Sequence, residues 1–88
     1  MNKEIITEYE FINKNSVEVK VKEVYKNAVE IKKNNYYLPT FDTSNEVELY
    51  NKLLDDFDAE FDDDLAFSIM RMSNSIINTY NERWEENE

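Results

Sequence analysis

Val17, Val19 and Val21 alternate with Glu18, Lys20 and Lys22. A two-residue period puts alternate side chains on opposite faces of an extended chain, so these six residues predict a half-buried strand with a charged outer face. A helical stripe through Val17, Val21, Val24, Ala28 and Ile31 competes with it. That stripe omits Val19 and Val29, and five valines between residues 17 and 29 favour extended backbone because branching at Cβ stiffens the side chain. The first half of the chain is thereby committed to a sheet.

Lys26-Asn27 is the expected hairpin tip, and Val29 and Ile31 alternate in a second strand. Lys33-Asn34-Asn35 is expected to turn the chain into a third strand that begins at Tyr36-Tyr37-Leu38 and is confined by Pro39 to an edge or an end. Glu4 to Ile12 fits two periods: Ile5, Thr7, Tyr9 and Phe11 alternate as a strand, while Ile5, Ile6, Tyr9 and Ile12 form a helical stripe, and the helical reading is slightly preferred. Asn13-Lys14-Asn15-Ser16 is a turn between this segment and the first strand. The chain has no glycine, so asparagine at each turn is expected to supply left-handed backbone.

The second half reads as helix. Thr43 followed by Glu46 is the spacing of a capping box, and Val47, Tyr50, Leu54, Phe57 and Phe61 then repeat at intervals of three and four, with Leu53 beside them. That stripe predicts one helix running to Asp62-Asp63-Asp64, residues that also suit the N-terminus of the next helix, where negative charge meets the positive end of the peptide dipoles. The last helix runs from Leu65 to near Trp84 with Leu65, Ile69, Met72, Ile76, Tyr80 and Trp84 inward, leaving Phe67, Met70 and Ile77 off the stripe. The expected architecture is one α+β domain over residues 1–88. It has a short antiparallel meander of three strands, or four if residues 4–12 are extended, followed by two helices. Val19, Leu54, Phe57, Phe61, Ile69 and Ile76 are expected in the core.

Absent residue types exclude most chemistry. Without Cys or His there is no disulfide, thiolate nucleophile, Ser-His-Asp relay or Cys/His zinc site, and without Gly there is no phosphate-cradling loop or dinucleotide fingerprint. No apolar run approaches the roughly 18 residues of a membrane span, and Met1-Asn2-Lys3-Glu4 begins no secretory signal, so a cytoplasmic, non-enzymatic protein without cofactor or metal is expected. A domain of 88 residues has little core to spare for an enclosed cavity, which puts function on the surface.

Charge says what kind of surface. Residues 1–41 hold seven Lys against six Glu, a balance of +1, whereas residues 42–88 hold one Lys and two Arg against fourteen acids, a balance of -11. The densest run is Asp55 to Asp64, seven acids in ten residues. Asp55, Asp56 and Asp58 fall at the expected end of a helix, where the dipole disfavours negative charge, so helix stability does not explain them. On a continuous helix Glu48, Asp55 and Asp62 lie on one outward line, with Asp56 and Asp63 on a neighbouring line and Asp58 at the near flank. Crowding there predicts that some of these carboxyls take up protons more readily when folded. A helix-loop-helix calcium site is excluded, because a loop starting at Asp56 has Phe61 and Phe67 where a glycine and a glutamate are needed. Carboxylates three or four apart on a helix stand about 5 to 6 Å apart at Cβ, a spacing able to meet Lys and Arg arranged for a nucleic-acid strand.

In size, charge and order of elements, with Phe57, Phe61, Asp62, Asp63 and Asp64 as its most suggestive stretch, the chain resembles phage-encoded inhibitors that mimic DNA. These include small anti-CRISPR proteins that occupy the DNA-binding groove of a CRISPR nuclease. The resemblance implies an inhibitor that offers Glu48, Asp55, Asp56, Asp58, Asp62, Asp63 and Asp64 to a basic, nucleic-acid-binding protein partner, without binding nucleic acid or membrane itself. The near-neutral first 41 residues depart from mimics that are acidic throughout. The competing expectation is a toxin-immunity protein or adaptor, holding one partner through the acidic helices and Tyr36, Tyr37 and Phe67, since aromatic anchors ringed by charge make strong contacts.

Overall fold

In the computed structural model, which describes residues 3–85, three antiparallel strands pair in the order β1-β2-β3 and two helices follow. They are β1 (Glu4–Asn13), β2 (Ser16–Val24), β3 (Val29–Tyr37), α1 (Glu46–Asp56) and α2 (Asp63–Tyr80). A single 3-10 turn, Thr43–Asn45, precedes α1, and a π-helical turn, Asn81–Glu85, continues α2. The fold is α+β, with a three-stranded meander and two C-terminal helices. Met1 and Asn2, which open the stretch read for a secretory signal, lie outside the described residues.

The segment preferred as helix is β1. Its alternation prevails because β2 offers a full-length partner: Ile5, Thr7, Tyr9 and Phe11 stand opposite Glu23, Val21, Val19 and Val17 on the face that receives the helices. The turn expected at Lys33-Asn34-Asn35 is also absent. These residues run straight through β3 opposite Lys20, Val19 and Glu18, so the two short strands expected there are one. The tip at Lys26-Asn27 stands as expected, closed by the Tyr25 amide donating to the Ala28 carbonyl at 2.8 Å.

Asparagine works in the β1–β2 turn through its side chain and not through left-handed backbone. Asn13 Oδ1 accepts from the Asn15 amide at 2.8 Å, and Asn15 Nδ2 donates to the carbonyls of Leu38 and Pro39 at 3.2 and 2.7 Å. Among the described residues the one positive φ is 55°, at Asp58.

The core lies between the sheet and the helices. Val17, Val19 and Val21 are buried under Ile69, Met72 and Ile76 of α2 and Leu49 and Leu53 of α1 in one cluster. Burying each such side chain contributes roughly 1.5 to 3 kcal/mol of hydrophobic transfer. The inward stripe on α2 is the expected one, with Ile77 also buried and Trp84 half-buried. One end is aromatic: the Phe11 ring lies 5.6 Å from Phe41 and 5.1 Å from Trp84, and Tyr80 lies 5.4 Å from Trp84. α2 packs along β1, and the Tyr9 hydroxyl fastens the two through Ser75 Oγ and Thr79 Oγ1, both at 2.7 Å. β3 reaches past this cover: of its residues only Tyr36 is buried.

Candidate acidic turn

The site starts with how α1 is oriented. The 3-10 turn that leads into it is capped by Asp42 and not by the expected Thr43: the Asp42 carboxylate accepts from the Ser44 amide and the Thr40 hydroxyl, both at 3.0 Å, and from the Ser44 hydroxyl. The Ser44 and then the Thr40 hydroxyl hold the Asp42 carboxyl below its usual range. The buried face of α1 is Leu49, Leu53 and, just past its end, Phe57. Val47, expected inside, is 71% exposed, and Tyr50 and Leu54 are half-buried. The sequence holds two apolar stripes, and the one with spacing of four throughout is the one seated on the sheet.

α1 ends at Asp56, and the hydrogen bonds say why. The Ala59 amide donates to the Leu54 carbonyl at 2.9 Å, spanning six residues, and inside it the Asp58 amide donates to the Asp55 carbonyl at 3.3 Å. This nested pair is a Schellman termination, which needs a left-handed residue at the position Asp58 fills. Glycine usually takes that place; in a chain without it, Asp is among the few residues that tolerate the conformation. Ala59 is fully buried beneath the turn.

The termination overturns the continuous helix expected through Phe61. Phe61 sits in the turn between the helices and is 95% exposed, a solvated ring where a core ring was expected. Asp62 therefore leaves the expected line, which keeps only Glu48 and Asp55, seven residues apart on α1. Glu48 lies two turns back along α1, 4.0 Å from Lys52, and Asp62 lies beyond the turn at the N-cap of α2.

Asp62 has a structural assignment. Its carboxylate accepts from the Leu65 amide at 3.1 Å and is paired with the Lys3 ammonium, which also reaches Glu23 at 2.8 Å. Lys3, and after it the Leu65 amide, hold the Asp62 carboxyl below its usual range, while Asp62 and then Glu23 push the Lys3 ammonium up. Crowded carboxylates were expected to gain proton affinity; at Asp62 the neighbouring cation reverses the sign.

Two other acids are also engaged. Asp56 accepts from the Tyr36 hydroxyl at 2.9 Å, and Asp58 lies 3.7 Å from the Lys32 ammonium. Asp55, Glu60, Asp63 and Asp64 stand exposed, as Phe61 does. Glu60 was not among the expected site residues. Among the described residues no group of three or more acids is placed to hold a metal ion.

The aromatic candidates separate. Tyr36 is a core residue with its ring buried, since its position in β3 faces the helices. Tyr37, 71% exposed, therefore lies on the opposite, uncovered face of the sheet. Phe67 is exposed on α2, four residues after Asp63, with the Arg71 guanidinium 5.7 Å from its ring. It continues the flank that starts at the turn, because residues four apart share a helix face.

A second feature lies between the helices. Val47, Tyr50 and Met70 line an apolar groove of about 220 Å³ with Glu46, Ser73 and Asn74. Ser73 is buried, and its Oγ has no hydrogen-bond partner. No helix among the described residues is long and apolar enough to cross a membrane. Comparison with protein-family models, curated proteins and solved structures finds no match to this chain.

Proposed function

We propose that this protein inhibits a nucleic-acid-handling enzyme by setting its acidic turn into the enzyme's basic groove. The observation that carries the proposal is Phe61, 95% exposed in the turn between α1 and α2, with the exposed acids Asp55, Glu60, Asp63 and Asp64 before and after it in the chain. A solvated phenylalanine has no role in the stability of the free domain. Flanked in the chain by exposed carboxylates, it suits a partner whose basic surface surrounds an apolar or base-stacking pocket. The carboxylates form a knob at one end of the helix pair and not a ladder along it, so mimicry here is of a few phosphates around one stacked base.

The runner-up, an adaptor or immunity protein that holds one partner without imitating nucleic acid, draws its support from the apolar groove beside Val47, Tyr50 and Met70. Competition separates the two. A partner isolated on the immobilised protein is loaded with its own DNA or RNA substrate. Under the inhibitor reading the nucleic acid displaces this protein, the complex weakens steeply with salt, and reversal of Asp55, Asp63 and Asp64 to Lys abolishes capture. Simultaneous binding of nucleic acid and this protein, with the triple reversal still inhibiting, defeats that reading and leaves the adaptor.

A further inference from the structure

β3 is an open sheet edge. It pairs with β2 without a register break from Val29 to Tyr37, contains no proline, and on its helix-facing side Glu30 and Asn34 are exposed. One edge of this nine-residue strand therefore presents the backbone donors and acceptors of alternate residues, with no strand beside it among the described residues. Such edges take up another strand unless charge, proline or a covering element prevents it.

Charge selects the occupant. The helical half, at -11, repels a second copy of itself, and β1 paired with its own copy would bring Glu4, Glu8 and Glu10 together. β3 holds Glu30 between two apolar residues and then Lys32 and Lys33, in the half whose balance is +1. A two-fold axis normal to the sheet keeps the helix side of both chains on one side, so only residues of the same face can stand opposite one another. Centring that axis on Lys32 or Lys33 opposes lysine to lysine, and centring it on Glu30 opposes glutamate to glutamate. Centring it on Ile31 places Glu30 opposite the partner's Lys32 and Ile31 opposite the partner's Ile31.

We propose that two copies of this chain pair antiparallel through β3 about Ile31, making one six-stranded sheet. Ile31, exposed like Val29 on the uncovered face of the sheet, gains the partner's Ile31 across the axis, while Val29 stands opposite the partner's Lys33. Lys32 already lies 3.7 Å from Asp58, and the partner's Glu30 completes an acid-base-acid row on each side of the axis. The proposal is independent of the acidic turn and of what that turn binds.

Sedimentation equilibrium over the micromolar range tests it. The wild-type protein is expected to approach twice its 10.6 kDa mass as concentration rises. Ile31→Lys, at an exposed position, should keep its circular dichroism and weaken the dimer at least about tenfold, because like charges then meet at the axis. Glu30→Lys should weaken it as well, and Glu30→Lys combined with Lys32→Glu should restore it by re-forming the pair with its sign exchanged. A 10.6 kDa species at every concentration, an Ile31→Lys protein that dimerises like wild type, or a double exchange that stays monomeric overturns the pairing.

Discussion

The Tyr36 hydroxyl donates to the Asp56 carboxylate at 2.9 Å, tying the end of β3 to the last residue of α1. The bond fixes where the helix stops above the sheet, and so where the acidic turn begins. It also turns one member of the acidic run inward to a protein donor. The turn is therefore partly anchored and partly free.

Tyr36→Phe keeps the buried ring and removes the bond. It should cost about 1 kcal/mol at neutral pH, measured by urea unfolding. Burial first, and then Asp56, raise the Tyr36 proton affinity above that of an ordinary tyrosine. A raised folded value means this contribution is complete below the unfolded value of about 10 and is lost as pH climbs above it. The gap between wild type and Tyr36→Phe should accordingly shrink in alkali. A gap that widens above pH 10 would contradict the assignment.

Phe57 and Phe61 look alike in the sequence and are opposites in the fold. Phe57→Ala should cost about 3 to 5 kcal/mol, because it empties a filled core site. Phe61→Ala should leave stability within about 0.5 kcal/mol of wild type, as expected for a surface change. Equal losses in parallel urea titrations would place Phe61 in the core.

Asp62→Ala removes an N-cap and the acid that Lys3 grips. The capping loss alone is about 0.5 to 2 kcal/mol. The Asp62 carboxyl is held low in the folded state, so its contribution is present above its unfolded value near 4 and disappears as pH falls through the lower folded value. Wild type and Asp62→Ala should thus converge in stability under acid. A constant difference from pH 7 down to pH 2 would show that the ionised carboxylate is not the stabilising species.

Ser73→Ala should stabilise. The hydroxyl is buried without a partner, and an unsatisfied polar group costs roughly 1 to 3 kcal/mol, while Ala is also the better helix former. A gain of about 1 kcal/mol in thermal or urea unfolding is expected. A loss would mean that the hydroxyl has a partner in solution.

What could be read from the chain depended on whether one local signal stood alone. The period of two in Val17–Lys22 and the stripe from Leu65 to Tyr80 each met a single partner surface, and both elements stand as expected. α1 held two competing stripes, Val47-Tyr50-Leu54 and Leu49-Leu53-Phe57, and only packing against the sheet chooses between them. The segment at residues 4–12 was likewise decided by the edge of β2, which lies elsewhere in the sequence. The most consequential departure, the end of α1, was hidden because its left-handed residue is Asp58 in an acidic run, where glycine would have announced a stop. Phe61 passed as core for that reason. Lys3 and Lys32, which hold Asp62 and Asp58, come from 59 and 26 residues away and leave no local trace.

The contact of Tyr9 with Ser75 and Thr79 spans 66 and 70 residues, while β1, β2 and β3 each pair with their neighbour in the chain. The meander can therefore assemble by local zippering, but the cover over Ile5, Tyr9 and Phe11 comes from the most distant helix. During synthesis these side chains wait uncovered until α2 has left the ribosome, and the search that joins the two ends carries the larger loop-closure entropy. The slow step in refolding should be the docking of α2 onto β1. Substitutions at that seam should then slow folding, whereas those at the acidic turn leave its rate unchanged.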